Sequence, residues 1–142
     1  MPLGRFSRPV VTARPDEDIL SAAQKFRDYR VGCVIVEREG KPFGILTDRD
    51  VAIRVVAAGL DPRVTKVEDV ATLDPVVVRD VEGIETAARR MREYGVRRLP
   101  VVNERGDICG IVTADDLVRM VGRELGDLSQ GFEGSADATD SR

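Results

Sequence analysis

The chain has 142 residues, 42% hydrophobic and 33% charged, with a formal net charge of -3 at pH 7. That balance fits a globular domain rather than a disordered one, argues against a nucleic-acid binder with its basic excess, and leaves no stretch apolar enough to span a membrane. With no histidine and only Cys33 and Cys109, His-based general bases, Ser-His-Asp triads, the usual zinc ligands and a disulfide framework are all excluded.

Met1 to Phe6 lacks the apolar core of a signal peptide, and the cysteine usage points to a reducing cytoplasm. A short apolar segment, Val10-Val11-Thr12, comes first. Ile19, Ala22, Ala23 and Phe26 then fall at i, i+3, i+4 and i+7, one face of a helix that Asp16 or Asp18 can cap. Cys33–Val36 reads as a strand, Glu39-Gly40 as a turn, and Phe43–Leu46 as a second strand. A further helix starts near Thr47 and ends near Gly59, where Asp61-Pro62 prevents its continuation. Residues 62–74 read as a linker.

The same order then recurs. A shift of 65 positions superimposes Val11 on Val76, Ile19 on Ile84, Ala22-Ala23 on Ala87-Ala88, Tyr29 on Tyr94 and Val31 on Val96. One residue added beside the turn makes the shift 66, which brings Gly44-Ile45 onto Gly110-Ile111, Thr47 onto Thr113 and Asp50 onto Asp116. The chain is thus two copies of a β-α-β-β-α unit, residues 8–61 and 75–126, an α/β (α+β) sandwich of helices on small sheets. A unit of about 60 residues buries too little surface to be secure alone, so the copies are expected to pack as one pseudo-two-fold module. Residues 127–142 lack periodicity and are expected to form a mobile tail.

The run Tyr94-Gly95-Val96-Arg97-Arg98-Leu99-Pro100-Val101-Val102, followed by Gly110-Ile111-Val112-Thr113-Ala114-Asp115-Asp116, resembles the CBS-domain family. The first copy carries Gly44-Ile45-Leu46-Thr47-Asp48-Arg49-Asp50 but has Cys33-Val34-Ile35-Val36 where leucine-proline is typical. The resemblance runs from Arg8 to Gly126 and extends to small two-CBS bacterial proteins, the mycobacterial hypoxic response type among them. It implies a regulatory pair (a Bateman module) that binds adenine-containing nucleotides, AMP, ADP or ATP, with NAD or S-adenosylmethionine as further candidates. Such a module requires no cofactor, catalyses nothing, forms a homodimer and modulates another protein.

The resemblance makes GxxTxxD a ribose site, with the carboxylate accepting bonds from the vicinal hydroxyls, chemistry that suits two acceptor oxygens. The same Thr-x-x-Asp spacing is also a helix-capping box, and one residue pair can serve both purposes. Carried over, one cleft joins Thr12 and Val31 to Thr113 and Asp116, with Arg97 and Arg98 as its phosphate-holding pair. The other joins Val77 and Val96 to Thr47 and Asp50. On that grouping the Thr113/Asp116 cleft is the tighter one for phosphorylated adenosines. The dimer face is expected on the last helix of each copy, at Val51, Ile53, Val55 and Val56 and at Leu117, Val118 and Val121. Two other readings stand beside the sensor: a ligand-free structural or interaction module, and a nucleic-acid binder built on the Arg89-to-Arg98 cluster.

Overall fold

The computed structural model describes residues 2–5 and 7–140. The first repeat contains β1 (Thr12–Ala13), α1 (Ile19–Tyr29), β2 (Cys33–Arg38), β3 (Lys41–Thr47) and α2 (Asp48–Val51), which runs on as a π-helical stretch, Ala52–Val56. After α3 (Val67–Val70) and β4 (Thr72–Leu73), the second repeat contains β5 (Val78–Arg79), α4 (Ile84–Tyr94), β6 (Arg98–Val102), β7 (Ile108–Thr113) and α5 (Ala114–Asp140). The β-α-β-β-α order therefore appears twice, and the opening strands fall slightly later than the apolar triplets suggest.

Local chemistry explains the element ends. The Asp18 carboxylate accepts from the Ser21 amide at 2.8 Å and caps α1. The first helix of each repeat ends on a left-handed residue at equivalent positions, Arg30 (φ 53°) after α1 and Gly95 (φ 64°) after α4. Gly59 (φ 71°) closes the π-helical stretch ahead of Asp61-Pro62.

The first sheet has the order β1-β2-β3-β4 and the second β5-β6-β7. In each, the opening strand runs parallel to the next and the remaining pairs are antiparallel. The second sheet has a substitute for its missing fourth strand. Arg8 pairs with Ile111 through both backbone bonds, 3.1 and 3.2 Å, as Thr72 pairs with Ile45 in the first sheet.

Two apolar cores result, and each borrows from outside its repeat. The first gathers Ile19, Val34, Val36, Leu46 and Val55 with Val67 and Val70, two residues of the expected linker segment. The second gathers Val78, Ala87, Leu99, Val101, Val112 and Leu117 with Leu3, which is fully buried. Leu3 and Gly4 reach it along the chain at Asp80 to Glu82, by amide bonds of 2.9 Å.

Two expectations change here. Val55 and Leu117 belong to the cores, so the outward face of the last helices is carried by Ile53, Val56, Val118 and Val121, with Val56 at 72% and Val118 at 71% exposure. The final helix does not give way to a tail near Gly126 but continues to Asp140, and no proline follows Pro100 to interrupt it. Residues 141–142 of the expected tail lie outside the described residues. Cys109 is exposed at the surface, whereas Cys33 is partly covered.

Candidate functional site

Both Thr-x-x-Asp motifs form complete capping boxes at a strand-to-helix junction. The Thr47 amide donates to Asp50 Oδ2 at 2.9 Å, and the Asp50 amide donates to Thr47 Oγ1 at 3.1 Å. Thr113 and Asp116 repeat the arrangement with two bonds of 3.1 Å. Each box engages one carboxylate oxygen and leaves the other to face its surroundings, and those surroundings differ.

Around Asp50 they are open. Its Oδ1 has no hydrogen bond among the described residues, and the nearest cation recorded, Arg54 Nε, stands at 3.9 Å. Thr47 and Asp50 line one cavity of about 250 Å³, with Ile45, Pro75, Val76 and Val96 as apolar walls and Arg97 and Arg98 at its side. That volume lies just under the usual small-molecule range of about 300–1,000 Å³, and the lining is mostly apolar with a few convergent polar groups, as in such sites. Aliphatic walls suit a flat, largely apolar ring, a carboxylate oxygen without a hydrogen bond suits a diol, and guanidiniums suit phosphate.

Around Asp116 they are closed. It is the one buried charged residue among the described residues, 7% exposed, and its Oδ1 meets Arg8 Nη2 at 2.7 Å and Arg119 Nη1 at 3.6 Å. A buried carboxylate needs such a partner, since its desolvation is otherwise uncompensated. Thr113 lines a cavity of about 210 Å³ with Arg8, Val10, Val11, Val31 and Arg98, while Asp116 lines a separate one of about 240 Å³ with Arg8, Arg119, Met120 and Arg123.

The expected groupings are thus partly redrawn. Val96, Thr47 and Asp50 share one cavity, and Val31 and Thr113 share the other. Thr12 lines neither; it is held in β1 opposite Ile35, its carbonyl accepting from Lys25 at 2.8 Å. Val77 is replaced on the lining by Val76, and its own carbonyl is bonded to Arg90 at 2.9 Å. Arg97 lines the Thr47/Asp50 cavity and not the Thr113 one, and Arg98 lines both. The reason is geometric: β6 starts at the pseudo-two-fold contact, so its first residue faces its own counterpart. Arg98 and Cys33 are equivalent by the repeat, and they touch. Burial pushes the Cys33 thiol up from its ordinary value, partly offset by the Arg98 guanidinium beside it.

Within the arginine cluster, Arg90 and Arg97 are engaged by acidic side chains, Arg97 with Asp115 at 3.4 Å. Arg90 forms a two-pronged bond to Glu82 at 2.8 and 2.9 Å. Burial works against the Glu82 carboxylate, but Arg90 and the Arg79 amide outweigh it and hold it below the usual carboxylate range.

The CBS domain profile matches residues 3–57 and 67–123. The chain belongs to the CBS-domain family. Hypoxic response protein 1 of Mycobacterium tuberculosis is 36% identical over 104 residues, 72% of each chain. A protein of Methanopyrus kandleri is 33% identical over 114 residues, 80% of this chain, which spans only 58% of that relative's length. Among solved structures, a CBS domain protein of Pyrobaculum aerophilum complexed with AMP superposes with a TM-score of 0.74 at 26% identity, covering 82% of this chain and 89% of that one. The CBS domain pair of MJ0100, in complex with 5'-methylthioadenosine and S-adenosylmethionine, gives 0.77 at 25% identity, covering 87% and 98%. The two-repeat architecture of this CBS pair is therefore shared across its solved relatives. Among the described residues no helix is long and apolar enough to cross a membrane.

Proposed function

We propose that this CBS pair is a regulatory module that binds an adenine-containing nucleotide in the Thr47/Asp50 cleft and thereby alters how a protein partner is engaged. The observation that carries the reading is the shared cavity itself: a diol-accepting carboxylate, aliphatic walls from both repeats and two arginines line one space. The adenosyl ligands of two solved relatives support the ligand class. Asp50 Oδ1 receives the ribose, Val76 and Val96 flank the base, and Arg97 and Arg98 face the phosphate. Because the walls come from both repeats, an occupied cleft ties the repeats together. Ligand thus favours one arrangement by its differential affinity for it. No catalytic role is assigned to any residue, and the module works in the cytoplasm as a homodimer.

A thermal-shift panel of AMP, ADP, ATP, NAD and S-adenosylmethionine tests this. A ligand at about 100 times its dissociation constant adds about 2.7 kcal/mol of apparent stability, so at least one is expected to raise Tm by several degrees. The Asp50→Asn variant should lose that shift. A flat panel leaves the Thr-x-x-Asp pairs as helix caps alone.

A further inference from the structure

We propose that Arg8 is the specificity-determining residue of the second cleft: its guanidinium occupies Asp116, so the chain offers one open ribose site rather than two. The inference rests on reading the Thr47/Asp50 cleft as the nucleotide site.

The two copies supply the comparison. Ile45 and Ile111 are equivalent, each two residues before the threonine of its motif. The residue paired with Ile45 is Thr72, and the residue paired with Ile111 is Arg8. Backbone pairing therefore sets Thr72 and Arg8 at the same place relative to the two carboxylates. Thr72 is short and neutral; it lines the cavity beside Thr47 and Asp50 and leaves the Asp50 oxygen open. Arg8 is long and charged, and it reaches Asp116 at 2.7 Å.

With the Thr113 amide on Oδ2 and guanidiniums on Oδ1, the Asp116 carboxylate has little left to offer a diol. Arg8 also lines both second-repeat cavities, standing between the one that holds Thr113 and the one that holds Asp116. A ribose in this cleft must displace Arg8 from Asp116, so its hydroxyls compete with a guanidinium already seated on the carboxylate. The N-terminal segment is anchored by Leu3 in the core below, so the contact is held by packing as well as by charge.

Calorimetric titration with AMP separates one site from two. The unaltered chain is expected to bind one AMP per chain. Arg8→Thr and the uncharged, polar Arg8→Gln are each expected to add one further site, which disappears when Asp116→Asn is combined with them. The reciprocal change, Thr72→Arg, is expected to weaken AMP at the Thr47/Asp50 cleft at least tenfold. Two equivalents on the unaltered chain, no added site in the Arg8 variants, or unaltered affinity in Thr72→Arg would each overturn the proposal. If the Arg8 variants do not fold, Thr72→Arg alone decides, because that position is exposed. An unaltered chain that binds no AMP counts against the Thr47/Asp50 reading, while a site gained on removing Arg8 still upholds this one.

Discussion

Asp50 and Asp116 occupy equivalent positions and make the same cap, yet their carboxylates face different environments. Side-chain exposure is 18% for Asp50 and 8% for Asp116, and only Asp116 has an arginine within 3 Å. Substitution should separate the two roles. Asp50→Asn keeps the shape but weakens charge-assisted acceptance, each such bond contributing about 1.5–3 kcal/mol, so nucleotide affinity is expected to fall at least tenfold with stability little changed. Asp116→Asn leaves Arg8 facing a neutral amide and is expected to lower stability by about 1–2 kcal/mol, reduced from the full value of a buried pair because Arg8 is itself exposed. Titration with AMP and urea unfolding of both variants check this. An Asp50→Asn variant that loses stability and keeps its affinity would make capping the whole role of that residue.

Among the elements, the helix ends and the N-terminal segment are the most sensitive to single substitutions. Arg30 and Gly95 terminate α1 and α4 in the same left-handed conformation, which costs an L-residue with a side chain about 1–2 kcal/mol relative to glycine. Arg30→Gly is therefore expected to raise stability by about 1 kcal/mol, seen as a higher urea midpoint with an unchanged slope. Leu3 shows the opposite sensitivity. It is only the third residue, yet fully buried among Val78, Ala87 and Leu99, and Leu3→Ala is expected to cost about 2–4 kcal/mol. A loss under 1 kcal/mol would mean that the segment is not docked in solution. The sequence announces α1 and α4 through their 3- and 4-residue apolar spacing. It is silent about Leu3, because a single apolar residue has no period. The expected tail over residues 127–142 has a related origin: the segment lacks apolar periodicity, whereas α5 continues through Asp140 because nothing in it forbids helix.

At the scale of the molecule, duplication made the architecture legible. Two copies in register show which residues are equivalent, so the β-α-β-β-α order and both capping boxes could be read directly. Equivalence does not show which residues face each other across the pseudo-two-fold contact. Arg97 and Arg98 precede the Thr113 motif in sequence, yet in space Arg97 lines the Thr47 cavity and Arg98 lines both, and the shift of 65 carries no information on that choice. Arg8 was likewise hidden, since its role depends on a backbone pairing with a strand more than 100 residues away. Ile53, Val56, Val118 and Val121 stand 45–72% exposed on the last helices of the two repeats, and exposed apolar side chains grouped on one face mark an interaction surface. Light scattering is expected to give twice the 15.6 kDa chain mass at micromolar concentration; a stable monomer would contradict the homodimer.

Whether an adenine nucleotide sits in the cleft shared by Thr47, Asp50, Val96 and Arg98 is tested most directly by an amide and methyl NMR titration with AMP. The largest, saturable shifts are expected at Thr47, Asp50, Val76, Val96 and Arg98, with Arg119 and Arg123 little affected. Shifts centred on Thr113 and Arg119, or none at millimolar AMP, would contradict the assignment of the nucleotide to that cleft.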